Sequence, residues 1–282
     1  MRTVVNGFLD GRKDDWFNRI AGPERGRLLS QSRGKRFIHI GVHRTGATYL
    51  QKVVFPAYNE SKDLFSDDVI AGKFFDNGLD NVARVREMVG DVTIILILRN
   101  QASLLNSAYR TYVKGGGIWT YYRYTEEIIR RGKYDHAALV QRYFDTFGEQ
   151  NCRILLYEDM MRSQKEFLVE LLSIIGVEDV IDHSAEVANP GPTKYFNETV
   201  RWMNILLMPV CGQAWAERLR ASALRLGIGV DNKIVKRLFK GASAKRQFGY
   251  QRATALIQNS YADSNAKLAE KLGRDVSELG YV

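Results

Sequence analysis

Cysteine is nearly missing from this chain: Cys152 and Cys211 are the whole supply in 282 residues. Two thiols cannot build a disulfide scaffold, and their separation is not that of a metal site. Both read as reduced core or surface thiols. Long apolar runs are missing as well. The strongest, Ile94 to Leu98 with its flanks, falls far short of the ~20 residues that a bilayer span needs. After Met1-Arg2 the chain runs Thr3-Val4-Val5-Asn6-Gly7-Phe8 and then Asp10, which forms no signal-peptide apolar core, so a cytoplasmic location is expected. There is no internal repeat, low-complexity tract or long single-sign charge block. Proline is scarce, and two of its five copies fall in Asn189-Pro190-Gly191-Pro192, the one clear break in composition. The expectation is a single domain over 1–282, with a helical C-terminal extension from about 190.

What is present is an ordinary globular balance, 45% hydrophobic and 26% charged, which argues against a disordered chain. A chain of this length buries a large core without disulfides or structural metals. Lys and Arg outnumber Asp and Glu by 41 to 32, a net charge of +9. That excess favours an anionic partner: a phosphate ester, an acidic glycan, a nucleic acid or a membrane surface touched peripherally. No nucleic-acid motif accompanies it, so nucleic acid is not expected.

Three strand-then-helix units run in series. Arg36 to Gly41 reads as a short buried strand, followed by a polar loop and a helical stretch from Tyr49 stopped by Pro56. Val92 to Leu98 is a β-branched apolar run, as expected of a parallel strand covered on both faces. A helical stretch follows it from about Ser103 to Lys114. Cys152 to Tyr157 is the third strand, followed by an amphipathic helix from about Ser163 to Ile175. Helical spacing returns around Val200 to Met208, and a long helix ends near Leu272. The pattern predicts an α/β protein, an open parallel sheet with helices on both sides. Ligands of such sheets sit beyond the carboxyl ends of the strands.

The loop after the first strand reads Gly41-Val42-His43-Arg44-Thr45-Gly46-Ala47-Thr48. Glycines let the backbone approach an anion, the helix start offers N–H donors, Thr45 and Thr48 add hydroxyls, and Arg44 adds a fixed charge. A plain strand-to-helix turn fits the same glycines. Nucleoside-triphosphate loops carry Lys after the second Gly, where this chain has Ala47. No metal-binding Asp ends the strongest strand, which finishes in Arg99. ATP or GTP hydrolysis is therefore disfavoured and no metal is expected. Arg99 and Ser107, two helical turns later, could reach one phosphate; Arg99 pairing with a local carboxylate is the alternative.

These residues carry a resemblance. The stretch Gly41 to Leu50 resembles the phosphosulfate-binding loop of sulfotransferases that use 3′-phosphoadenylyl sulfate (PAPS), and Arg99-Asn100-Gln101 with Ser107-Ala108-Tyr109 resembles their 3′-phosphate-binding element. Partial matches are Ser66-Asp67-Asp68, Leu156-Tyr157-Glu158-Asp159 and Ser264-Asn265-Ala266-Lys267-Leu268-Ala269. Order and spacing suit bacterial members acting on carbohydrates, and the likeness covers roughly residues 36–180. It implies a P-loop-like three-layer sandwich and sulfuryl transfer to a hydroxyl, with release of adenosine 3′,5′-bisphosphate (PAP). It implies nucleotide binding by Arg44, Thr45, Gly46, Ala47, Thr48, Tyr49, Arg99 and Ser107, with Arg44 also stabilising charge on the transferred group. Arg44 stands where many relatives have Lys, and Ala47 where Thr is common.

A general base must take the acceptor's proton. Asp68, Asp67 and His43 are the candidates, with Asp68 preferred; Ser66-Asp67-Asp68 also reads as a helix N-cap. His39 alternates within a buried strand and reads as a core residue, while His136 shows no partner signal. Lys114-Gly115-Gly116-Gly117 followed by Ile118 to Tyr124 reads either as a hinged aromatic lid for a sugar acceptor or as aromatics packed on a core. The basic residues between Lys233 and Arg252 read as a donor-phosphate or acidic-acceptor contact, or as a solvated face. Two other functions stay open: a phosphotransferase or nucleotide hydrolase with a degenerate loop, and a non-catalytic anion or nucleic-acid binder.

Overall fold

The structure is a computed structural model, described over residues 37–41, 44–50, 54–55, 64–66, 82–83, 86, 90–177, 200–202, 204–206 and 249–281. The chain divides into two compact units. One comprises residues 1–9, 105–131 and 187–260, the other residues 10–104, 132–186 and 261–282.

The second unit carries the sheet. Its strands are β1 (Phe37–Gly41), β2 (Leu64–Ser66), β3 (Thr93–Leu98) and β4 (Cys152–Leu156), in the order β2-β1-β3-β4. Every pairing is parallel, with Gly41 opposite Ile97 and Leu98 opposite Leu156. Ile94 to Leu98 are all fully buried, which is why β3 is apolar at every position instead of alternating. β4 lies at one end of this order and does alternate at first, with Cys152 buried and Arg153 exposed. Burial pushes the Cys152 thiol up to about 12, as suits an inert core thiol.

Helices follow the strands. In this unit they are the short α1 (Ala47–Tyr49), α4 (His136–Phe147), α5 (Tyr157–Arg162) and α6 (Gln164–Ile174). Between α1 and α4 come α2 (Gln101–Lys114) and α3 (Tyr121–Arg130), and α7 (Tyr250–Leu272) lies near the C-terminus. The boundary between units falls within α2 and within α7. Ser163 caps α6, its side chain accepting from the Glu166 amide, and Asp135 caps α4 in the same way from Ala138. Such caps each stabilise a helix by about 1 kcal/mol. The buried face of α6, Phe167, Leu168, Leu171 and Leu172, joins Phe37, Leu50, Phe55, Ile95 and Ile97 in one core. His39 sits in that region fully buried, its ring edge-on to Phe55 at 5.3 Å. Desolvation drives its pKa down to about 3, so it is a neutral core residue.

The first unit has an aromatic core. Tyr109 meets Tyr121 at 5.2 Å and Tyr124 at 5.6 Å, and Tyr112 meets Tyr124 at 5.0 Å between ring centroids. All four rings are buried. Of the two readings of this stretch, aromatics packed on a core is the one observed: Tyr121 and Tyr124 belong to α3 and are buried.

Candidate functional site

The strand order locates the crevice. From β1 the chain goes to β2 on one side, and from β3 it goes to β4 on the other. Adjacent strands whose connections leave in opposite directions open a cleft at their carboxyl ends. The loop carrying Arg44 follows β1 and Arg99 follows β3, so both stand at this switch point.

The two loops are joined there. Arg99 Nη1 donates to the Arg44 carbonyl at 2.6 Å, and its Nε donates to Ser103 Oγ at 2.7 Å. The guanidinium also lies over the Tyr157 ring, 4.4 Å from its centroid, a stacking that suits a planar cation. Arg44 is exposed and has φ of 72°, a left-handed conformation that non-glycine residues seldom take. Gly46 has φ of 81°, and a Cβ placed on it would lie 2.5 Å from Met160 Cε. The backbone angle calls for glycine at that position, while the Met160 methyl, the tip of a flexible side chain, could move aside.

The other expected loop residues fall as follows. Thr45 is fully buried and Ala47 nearly so. Thr48 continues α1. The Tyr49 ring belongs to the apolar core, and its hydroxyl accepts a 2.5 Å hydrogen bond from Gln164 Nε2. Ser107 lies on α2, half-buried, within the first unit. Arg99 also engages a hydroxyl one helical turn along, that of Ser103. His43, Asp67 and Asp68 lie outside the described residues, as do Cys211, the Pro190-Pro192 break and the basic residues from Lys233 to Arg246.

Sequence reasoning missed what surrounds Arg99. The His136 ring is fully buried, with Nε2 2.8 Å from the Arg99 carbonyl; a carbonyl only accepts, so Nε2 carries the proton. Burial holds this imidazole down at about 4, against the opposing pull of that bond and of Asp135. Asn100 caps α2, its Oδ1 accepting from the Ser103 amide at 2.9 Å. Its own amide and its Nδ2 both donate to Glu158 Oε1, at 3.1 and 2.8 Å. Gln101 Nε2 donates to Asn265 Oδ1 at 2.9 Å. The segments Arg99-Asn100-Gln101, Tyr157-Glu158 and Ser264-Asn265, far apart in sequence, are thus hydrogen-bonded neighbours. Their shared place in the resemblance was the one signal that could have grouped them.

In a comparison with solved structures, the chain is similar to a crystal structure of a sulfotransferase from Alicyclobacillus acidocaldarius. The TM-score is 0.52 at 15% identity, and the likeness covers 88% of this chain and 99% of that one. The chain has a sulfotransferase fold. No protein-family model and no curated protein matches the sequence. In this sulfotransferase fold the described residues hold no cluster of three His, Cys, Asp or Glu side chains suited to a metal, and no described helix is long and apolar enough to cross a membrane.

Proposed function

We propose that this chain is a sulfotransferase of the P-loop-like three-layer kind, moving a sulfuryl group from PAPS to a hydroxyl acceptor, a carbohydrate in the first instance. The observation that carries the reading is the Arg99–Arg44 contact at the switch point of the sheet. The Arg99 guanidinium holds the backbone of the loop that carries Arg44, so cations from neighbouring strand ends stand at one switch point, as a nucleotide with phosphates at both ends of its ribose requires. The fit is chemical as well. Arg99 is aimed by Ser103 and Tyr157, Arg44 is exposed, and the glycine at 46 leaves its backbone uncovered by a side chain of its own.

Arg99 would hold the 3′-phosphate, and the backbone from Thr45 to Thr48 the 5′-phosphosulfate. When the donor is bound, sulfur moves from the bridging phosphate oxygen to the acceptor oxygen, and the acceptor's proton goes to a base. Adenosine 3′,5′-bisphosphate leaves. Arg44 would stabilise the charge that grows on the leaving oxygen and the transferred group, the same electrostatic task as in phosphoryl transfer. Asp68 is the first choice of base, with Asp67 and His43 behind it.

Thermal stabilisation by PAP, ADP and AMP at equal concentration tests the reading, because a ligand that binds the native state raises the melting temperature more the tighter it binds, with the logarithm of its affinity. PAP is expected to shift it furthest. A shift by PAP no larger than that by AMP overturns the proposal.

A further inference from the structure

Two of the three residues that leave β3, Asn100 and Gln101, are held by elements from the far end of the chain. Asn100 Nδ2, besides bonding Glu158, donates to the Leu279 carbonyl at 3.1 Å. Tyr281 Oη donates to the second carboxylate oxygen of Glu158, Oε2, at 3.1 Å. Gly280 between them has φ of 87°, and a Cβ there would lie 3.4 Å from Asn100 Nδ2. A left-handed glycine thus lets the last turn of the chain lie against Asn100. Tyr281 is 3% exposed, and its ring stands 6.1 Å from that of His136, which itself holds the Arg99 carbonyl. Arg274 anchors the start of this turn with two bonds to the Asp159 carboxylate, at 2.9 and 2.8 Å.

Glu158 is the centre of this arrangement. One oxygen gathers the Asn100 amide and side chain, the other the Tyr281 hydroxyl, and Asn100 is joined by a peptide bond to Arg99. A half-buried carboxylate beside an anion site opposes any phosphate bound there, so its worth must lie in geometry and not in charge. We propose that Glu158 is a positioning residue for the Arg99 phosphate site, acting through Asn100, with the C-terminal turn at Leu279 and Tyr281 completing the clamp. The inference rests on the reading of Arg99 as a phosphate holder. It adds that the final turn of the chain determines how well the nucleotide's 3′-phosphate is recognised.

The test measures the affinity ratio of PAP to 5′-AMP by calorimetry on the full chain. That ratio isolates the 3′-phosphate, which general loss of stability does not move selectively. Glu158→Ala, confirmed folded by circular dichroism, is expected to lower the ratio about tenfold, the value of one hydrogen bond to a charged group. Glu158→Gln can turn its carbonyl to Asn100 and its amide to the Tyr281 oxygen, so it should keep the wild-type ratio or exceed it. If Glu158→Ala does not fold, Tyr281→Phe carries the test and should lower the ratio severalfold. An unchanged ratio in folded Glu158→Ala, or in Tyr281→Phe where that variant carries the test, overturns the clamp while leaving the wild-type preference for PAP intact. A wild-type protein with no preference for PAP overturns the functional reading and the clamp together.

Discussion

Arg44 holds a backbone conformation that costs a non-glycine residue on the order of 1–3 kcal/mol. Its carbonyl is pinned by Arg99 at 2.6 Å, and the residue is exposed. The backbone of Arg44 is therefore tied to structure, which leaves its exposed guanidinium available for the role proposed above. Arg44→Ala keeps the carbonyl and hence the Arg99 contact. It is expected to retain much of the affinity for PAP and to lose about 10²–10³ in single-turnover transfer rate, the usual cost of removing one donor at developing charge. Transfer at near wild-type rate in that variant would remove Arg44 from the chemistry. The Arg99 side chain differs in kind: stacking on Tyr157 and bonding to Ser103 and Arg44 make it part of the frame. Lys could not reproduce a planar fork used in several directions at once.

At the scale of elements, the connection between α2 and α3 shows how a stretch that looks mobile can be fastened. Its run of glycines suggests a hinge. In the structure, Asn204 Nδ2 donates to the carbonyls of Val113 and Gly117, each at 2.9 Å. Tyr112 Oη accepts from the amides of Ile118 and Trp119, and Tyr109 Oη donates to the Trp119 carbonyl. A Cβ on Gly117 would lie 2.2 Å from the Tyr112 ring, so that glycine serves close packing and not hinge motion. Asn204 is 1% exposed, and its loss takes a donor from the partly buried Gly117 carbonyl, at roughly 1–3 kcal/mol, while the Val113 carbonyl keeps the Gly116 amide. Limited proteolysis near Gly115 is expected to be slow in the wild type, unchanged by PAP, and markedly faster in Asn204→Ala. Ligand-dependent protection there would restore the lid. Helices α3 and α4 were not legible in the sequence, because Tyr121 and His136 begin them and the aromatics read either as a hinged lid or as part of a core. Their starts are set by Thr120 and Asp135 side chains accepting from the amides of Arg123 and Ala138.

For the whole molecule, buried histidines set the response to acid. His39 and His136 are neutral when folded, pushed by burial to about 3 and about 4, while an unfolded histidine titrates near 6.5. The unfolded chain therefore binds more protons below about pH 6.5, and stability falls as pH drops from there toward the folded values. Glu158 works the other way: burial raises its pKa, so it loses stability as pH rises through the range just above its unfolded value. Glu170 is raised by burial in the same way, so these two carboxyls oppose the histidines only just above the ordinary carboxylate range, and from pH 7 toward 5 the histidine slope sets the sign. Denaturant unfolding between pH 7 and 5 should show it, and His136→Gln, which keeps a donor but cannot take up a proton, should nearly halve it. A flat profile would mean that these rings are not buried neutral. By itself the sequence determined the parallel strands, since a run such as Ile94 to Leu98 has only one way to bury both faces, and it marked Arg44 and Arg99 as strand-end cations. It could not show β2, a strand of three residues too short to carry a pattern. Nor could it decide that Asn100, Glu158, Asn265 and Tyr281 meet, because hydrogen bonds spanning 58 to 164 positions leave no local periodicity. Only the folded sheet, which brings the ends of β3 and β4 together and leads the last turn of the chain back to them, supplies that information.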